Sequence, residues 1–153
     1  MARLSDMPEA LAEHLLKLQC ADMGETPCVG GPPLNQRRVA IVSTAGLGRR
    51  GEETFSAGAG DYRVLPSDLP PGEIVMSHIS VNYDRTGFQD DVNICFPLDR
   101  LKEMAADGEI GAVADFHYSF MGATDPVEMK PAVSSLVGPM KAEGVDAVVL
   151  IPV

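Results

Sequence analysis

The stretch from Ser77 to Arg100 holds the side chains of this sequence that are best suited to chemistry. Its polar residues follow neither a helical nor a strand period, which is typical of a ligand-binding loop. His78 stands near its start, and four aspartates follow it, namely Asp84, Asp90, Asp91 and Asp99. A histidine near carboxylates can act as a general acid or base, because a carboxylate raises the imidazole pKa and orients one ring nitrogen.

Three interpretations of this stretch remain open: a polar substrate-binding loop, a structural loop with side-chain caps, and a metal site. We favour the first. The metal site is the least favoured, because Asp84, Asp90 and Asp91 do not follow the alternating ligand spacing of a calcium loop. Asp99 also has a structural interpretation, since it follows Pro97 and would favour the positive end of a helix that begins there. His117 lies between Phe116 and Tyr118 and is predicted to be a core histidine.

The cysteines Cys20, Cys28 and Cys95 are odd in number, and no two of them form a CxxC pair. The pattern predicts neither a disulfide framework nor a structural zinc site, and we expect no metal. Each thiol is predicted to be buried or half-buried, as free cysteines commonly are.

Composition excludes several classes of function. With 12 basic and 22 acidic residues the net charge is -10, which disfavours binding to nucleic acid or to anionic lipid. No apolar run approaches the roughly 20 residues of a transmembrane helix, and the amino terminus does not resemble a secretory signal. We therefore expect a protein that neither spans nor binds a membrane and that is located in the cytoplasm.

The order of predicted elements favours an α/β fold with one folded unit at residues 38–153. Apolar β-branched runs at 38–44 and 145–153 predict buried strands, and further strands are expected at 61–66 and 110–122. Helices are predicted after Pro97 and after Asp125. The second helix is expected to be kinked or divided at Pro131 and Pro139. Its predicted buried side consists of Val127, Val133, Leu136, Val137 and Met140. The alternation predicts a mostly parallel sheet flanked by helices, a Rossmann-like or flavodoxin-like three-layer arrangement. Residues 1–37 are predicted to be a helix, at 5–20, followed by a connection rich in proline and glycine.

Loops that follow parallel strands are candidate binding sites, because α/β proteins bind ligands at the carboxyl ends of their strands. Ser43, Thr44 and Gly46 follow the first strand, and Gly122 ends the strand at 110–122. Gly46 and Gly48 do not make a dinucleotide site, since the third glycine and the following helix are missing. Ala45 to Gly48 is therefore predicted to be a loop.

Six blocks of the sequence, in this order, resemble the selenoprotein B family of glycine, sarcosine, betaine and D-proline reductases, most of all the small D-proline reductase subunit. The blocks are VAIVSTAG at 39–46, YRVLP at 62–66, SH at 77–78, DVNICFPLD at 91–99, FMG at 120–122 and GVDAVVL at 144–150. The likeness covers nearly all of residues 38–153.

The resemblance implies an oxidoreductase that cleaves a carbon–nitrogen bond. In the family, a selenolate or thiolate attacks the carbon beside the carboxylate, displaces the amine, and is regenerated by thiols. That nucleophile follows the strand that resembles 144–153, so we expect a selenocysteine encoded by an in-frame UGA after Val153, a C-terminally incomplete sheet, and little activity of this chain alone.

The implied partners are a small amine or amino-acid substrate, other reductase subunits and a second copy of the chain, with no bound cofactor beyond the selenocysteine and a thiol reductant. The candidate site residues are His78 in a supporting catalytic role and, for substrate binding, Ser43, Thr44, Gly46, Asp91, Asn93, Asp99 and Gly122.

Two alternatives stay open. One is a racemase-like or lyase-like α/β enzyme that uses Cys95 as its nucleophile. The other is a non-catalytic binding subunit, because an apolar strand at 148–151 would leave a hydrophobic sheet edge that favours association.

Overall fold

The computed structural model describes residues 4–17, 22, 24, 29–80 and 83–153. The α-helices are α1 (Glu9–Lys17), α2 (Thr86–Asp90), α3 (Leu98–Ala106) and α4 (Pro126–Ala142). The strands are β1 (Arg38–Ser43), β2 (Leu47–Arg49), β3 (Arg63–Pro66), β4 (Ile74–Met76), β5 (Ala112–Val113), β6 (Phe116–Ser119) and β7 (Ala147–Ile151). The predicted first helix is confirmed from Glu9 to Lys17, and the rest of its predicted C-terminal end, with Cys20 and Cys28, lies outside the described residues. No helix in these ranges combines the length and apolar composition needed to cross a membrane.

Strand β1 is the centre of a mixed, largely parallel sheet. It pairs in parallel with β7 on one side, from Val39↔Ala147 to Ser43↔Ile151, and with β5 and β6 on the other. Strand β3 pairs with β6 in the antiparallel direction. The prediction of a mostly parallel α/β sheet is therefore confirmed.

Helices α3 and α4 pack on opposite faces of this sheet, which gives the predicted three-layer architecture. Leu98 and Leu101 of α3 join a buried cluster with Val39 and Ile41 of β1. On the other face, Leu136 of α4 packs with Tyr118 and Phe120. Alternate β1 side chains point to opposite faces, so the one strand contributes to both layers.

Three predicted segments differ in the structure. Leu47 to Arg49 forms strand β2 and pairs antiparallel with β4, so the prediction of a loop at Ala45 to Gly48 is wrong at its second half. Helix α4 is not divided at Pro131 or Pro139, and only Leu136 of its predicted apolar side is buried, whereas Val127, Val133 and Val137 are exposed. The reason is that α4 rests on β6 along a narrow stripe, and these valines lie beside it.

Strand β7 is an edge strand rather than a buried one. Ala147, Val149 and Ile151 pack against the cluster on the α3 side, but Val148 and Leu150 face the α4 side and are 40% and 70% exposed. Its apolar composition resembles that of a strand covered on both faces, which is why the sequence predicted burial.

The predicted strand at 110–122 is interrupted between β5 and β6. Ala114 and Asp115 form a bulge, because Val39 pairs with Val113 but Val42 pairs with Tyr118. The side chain of His117 takes the place of a backbone acceptor there, because its Nδ1 accepts a hydrogen bond from the Ile41 N–H at 3.0 Å. His117 is fully buried, which confirms its prediction as a core histidine, although its Nε2 has no partner within the described ranges.

Candidate functional site

The parallel strands β1, β6 and β7 all end at one edge of the sheet. The segments that continue from them are Thr44 to Gly46, Phe120 to Gly122, and Pro152 to Val153. Because β6 and β7 lie on opposite sides of β1, the chain changes its direction of winding at β1. α/β proteins bind ligands in the crevice that such a topological switch creates at the carboxyl ends of the strands.

Thr44 holds the backbone of Val153 across this crevice. The Thr44 hydroxyl accepts a hydrogen bond from the Val153 N–H at 2.8 Å and donates one to the Val153 carbonyl at 3.2 Å. The Thr44 N–H donates to the Ile151 carbonyl at 3.0 Å, which continues the β1–β7 ladder. The segment after β7 is thus fixed beside the end of β1.

Gly122 lets three backbones converge. Its N–H donates to the Thr44 carbonyl at 2.8 Å. A Cβ at Gly122 would lie 2.8 Å from the Thr44 carbonyl oxygen and closer still to that of Val153. Any side chain there would push the end of β6 away from the other two strands.

Gly46 performs a similar task on the other side of the crevice. It has φ +65°, and an added Cβ would lie 3.0 Å from both the N and the Cα atom of His78. The Gly46 N–H donates a hydrogen bond to the Phe120 carbonyl, and the Gly46 carbonyl accepts one from the Ser77 N–H, both at 2.9 Å. Gly46 therefore sets the backbone position of His78.

His78 is 5% exposed and its ring is held in one orientation. Its Nδ1 accepts a hydrogen bond from the Ser80 N–H at 3.2 Å, and its carbonyl accepts from the Arg85 guanidinium. Burial and, to a smaller degree, the charge of Arg85 hold the pKa of His78 below its ordinary value. The ring is therefore neutral near pH 7 with its proton on Nε2, a nitrogen that is buried and has no partner among the described residues.

Tyr83 connects His78 to Cys95. Its ring centroid lies 5.0 Å from that of His78, with the planes inclined at 56°. Burial, followed by the interaction with the Cys95 thiol, raises the pKa of Tyr83. Burial also raises the pKa of Cys95, which is 1% exposed, although the interaction with Tyr83 opposes this.

These groups surround an open cleft of about 260 Å³ at the carboxyl edge. Its lining residues are His78, Ser80, Tyr83, Gly122, Ala123 and Val153. Ser43, at the end of β1, does not line the cleft and is fully buried; its hydroxyl donates to the Cys95 carbonyl at 2.8 Å and accepts from the Ala45 N–H at 3.2 Å.

Asp91, Asn93 and Asp99 form a separate cluster at the start of helix α3. Asp91 caps the turn at Val92–Ile94 by accepting hydrogen bonds from both nitrogens of Asn93, which lower its pKa. Asn93 also donates to the Asp99 carboxylate at 3.0 Å. Asn93 and Asp99 line a small cavity of about 40 Å³ that shares no lining residue with the cleft.

A comparison with known proteins identifies the family. The family model for glycine/sarcosine/betaine reductase selenoprotein B matches residues 32–152, which is most of the chain. The chain belongs to this family.

The chain is similar to three curated proteins that are named as reductase subunits. It is 33% identical over 123 residues to the D-proline reductase subunit gamma of Acetoanaerobium sticklandii. It is 28% identical to the glycine reductase complex component B subunit gamma of Carboxydothermus hydrogenoformans and 27% identical to the betaine reductase complex component B subunit beta of Peptoclostridium acidaminophilum. Each match covers 76% of this chain, but 49% of the first relative and 28% of the other two, so the chain spans about half or less of their length. No solved structure matches the chain.

The resemblance to the selenoprotein B family is therefore confirmed, while the predicted site residues divide into two places. His78 and Gly122 line the cleft, and Thr44 and Gly46 contact residues that line it. Ser43 is buried next to Thr44, whereas Asp91, Asn93 and Asp99 lie in the cluster at the start of α3. Sequence reasoning did not single out Tyr83 or Arg85, and it named Val153 only as the residue before the expected nucleophile. The signal for Tyr83 and Arg85 was their closeness to His78 in the sequence, but no periodicity indicates which residues of an irregular loop turn inward.

Proposed function

We propose that this chain forms the substrate cleft of a selenoprotein B type reductase subunit. The reaction is the reductive cleavage of a carbon–nitrogen bond in glycine, sarcosine, betaine or D-proline. The observation that carries the proposal is the cleft at the topological switch of the sheet, which lies within the region matched by the family.

The chemistry requires a strong nucleophile. A selenolate or thiolate would form a bond to the carbon beside the substrate carboxylate, and the amine would leave with the electrons of the broken C–N bond. Thiols would then reduce the selenium or sulfur adduct and restore the nucleophile. Because such groups stay reduced in a thiol-rich compartment, we propose that the protein works in the cytoplasm together with other reductase subunits.

The nucleophile is proposed to be a selenocysteine, or a cysteine, that follows Val153 in the full-length protein. Thr44 supports this position, since it holds Val153 at the rim of the cleft that His78 and Tyr83 also line, and the absence of a side chain at Gly122 leaves room for the Val153 carbonyl. Cys95 is a poor alternative because it is buried and its raised pKa keeps the thiol protonated. This argues against the racemase-like or lyase-like enzyme.

Activity measurements test the function. The native complex, isolated through a tag on this subunit, is expected to cleave one of the four substrates with a dithiol as reductant. The 153-residue chain alone is expected to show no cleavage. A complex that is inactive on all four substrates would overturn the proposal, as would activity of the chain alone that disappears in Cys95→Ser.

The gene tests the position of the nucleophile independently. We expect a UGA codon after the Val153 codon, a selenocysteine-insertion hairpin beyond it, and a continuing open reading frame. A cysteine codon at that place would also support the proposal. A UAA or UAG codon would contradict it and would favour the binding-subunit interpretation, for which the exposed Val148 and Leu150 provide an apolar surface.

A further inference from the structure

We propose that the Nε2–H of His78 binds the carboxylate of the substrate in the cleft at the carboxyl edge of the sheet. The inference names the part of the substrate that the cleft recognises and rests on the proposed function for the choice of substrates. His78 Nε2 is a protonated ring nitrogen that is buried and has no partner among the described residues.

The hydrogen bonds of His78 determine what this nitrogen can bind. Nδ1 is occupied as an acceptor by the Ser80 N–H, so Nε2 carries the proton of the neutral ring and can only donate. A buried donor without a partner is destabilising, and a ligand oxygen would remove that cost. The ligand group must therefore be a hydrogen-bond acceptor.

The nearby charges favour an anionic acceptor. The Arg85 guanidinium binds the carbonyls of His78 and Ser80, and its charge acts on the imidazole. The closest acidic residue in the loop sequence, Asp84, accepts hydrogen bonds from the N–H and the hydroxyl of Thr86 at 2.9 and 2.6 Å. A neutral donor in a positive field suits a carboxylate and disfavours an ammonium group.

The proposed substrates share this group. Betaine has a quaternary nitrogen without any N–H, whereas glycine has an ammonium group with three, so the nitrogen offers no common hydrogen-bonding pattern. Their carboxylates are the same. A single donor such as His78 Nε2–H can therefore serve both, while variable groups reach other parts of the cleft.

Binding requires a small movement. The Nε2 atom has almost no exposed surface, although His78 lines the cleft. The tilted ring of Tyr83, whose centroid lies 5.0 Å from that of His78, would have to shift for a carboxylate oxygen to come within hydrogen-bonding distance.

Nitrogen-15 NMR of the histidine rings tests the proposal on the wild-type chain. The spectrum should show the Nε2–H tautomer of His78. Acetate, glycine and betaine should each shift the His78 ring signals, while methylammonium should not. His117 is an internal control, because its nitrogens make the same contacts but the ring does not line the cleft. An Nδ1–H tautomer, equal shifts with methylammonium, or no shift with acetate would overturn the proposal.

Two variants quantify the interaction. His78→Leu should raise the Kd for betaine about tenfold, the effect of losing one hydrogen bond to a charged group. His78→Gln should bind more tightly than His78→Leu, because its amide can present an N–H in the place of Nε2. Equal Kd values for His78→Leu and the wild type would contradict the site. C–N cleavage by the complex with an unchanged KM in His78→Leu would refute this inference alone, whereas carboxylate binding without cleavage by the complex would refute only the reductase function.

Discussion

His78 and His117 hold their imidazole rings in the same way but lie in different parts of the molecule. In both, Nδ1 accepts a backbone N–H, Nε2 is buried without a partner in the described ranges, and burial lowers the pKa. His117 contacts the Phe96 ring in the core and completes the pairing of β1, whereas His78 lines a cleft. The comparison shows that the hydrogen bonds of a histidine do not reveal its role. The role depends on whether the residue lies in the core or lines a cleft.

The largest expected effect is the pH dependence of the free energy of unfolding, which should depend more on His117 than on His78. The pKa of His117 is about 4 in the folded chain, against an ordinary value of 6.5. Between these two pKa values the unfolded chain therefore binds more protons than the folded chain. The contribution of His117 to stability is complete above pH 6.5 and is lost as the pH drops towards 4. Between pH 7 and pH 4.5 His117 should contribute a loss of about 2–3 kcal/mol in the free energy of unfolding.

Urea unfolding at both pH values measures this loss. His117→Gln should show a smaller difference between the two pH values than the wild type, while His78→Gln should retain most of it. An unchanged pH dependence in His117→Gln would show that His117 does not titrate on unfolding.

A second prediction compares leucine substitutions at pH 7. His117→Leu leaves the Ile41 N–H in the core without its acceptor, which should lower the free energy of unfolding by about 1–3 kcal/mol. His78→Leu should cost less, because the Ser80 backbone is half-exposed and its N–H can bind water. Equal losses, measured by chemical unfolding, would remove the distinction between a core ring and a cleft ring.

Gly46→Ala should affect only one of the two histidines. The positive φ alone should cost about 1–2 kcal/mol, and the added Cβ would press on the His78 backbone. Gly58→Ala is the matched control, since Gly58 has φ +74° but has nothing within 4 Å of an added Cβ. The NMR signals of the His78 ring should shift in Gly46→Ala and stay in place in Gly58→Ala. A shift of His117 alone in Gly46→Ala would contradict the assigned contact.

The smallest effect is expected at Thr44. Thr44→Val removes both hydrogen bonds to Val153 and should lower stability by about 1 kcal/mol. The Val153 amide should then exchange its hydrogen faster, while Thr44→Ser should retain the protection. Equal exchange rates in the Val and Ser variants would show that the hydroxyl does not hold this segment.

The sequence predicted the parts of the fold that local patterns determine. The apolar β-branched run gave strand β1, and Pro97 and Asp125 correctly marked the starts of α3 and α4. The placement of Thr44 and Gly122 at one edge followed from the rule for parallel strands, because Thr44 comes directly after β1 and Gly122 follows shortly after β6.

The remaining features depend on contacts between distant residues. The interruption between β5 and β6 is stabilised by His117 and the Ile41 N–H, which no local pattern connects. The exposure of Leu150 depends on where α4 lies over the sheet and not on the composition of β7. The separation of Asp91 and Asn93 from His78 reflects the path of an irregular loop, since proximity in sequence does not fix direction in space.

The pairing of β1 also affects the order in which the chain can fold. The contacts of β1 with β6 and β7 join residues 76 and 108 positions apart, so the central strand precedes these partners in sequence by about half of the chain or more. During synthesis, β1 leaves the ribosome long before either neighbour exists. Contacts of such long range slow folding, because the chain must close large loops before they form. We therefore expect the sheet to assemble late, and β1 to be the segment that a chaperone would have to protect.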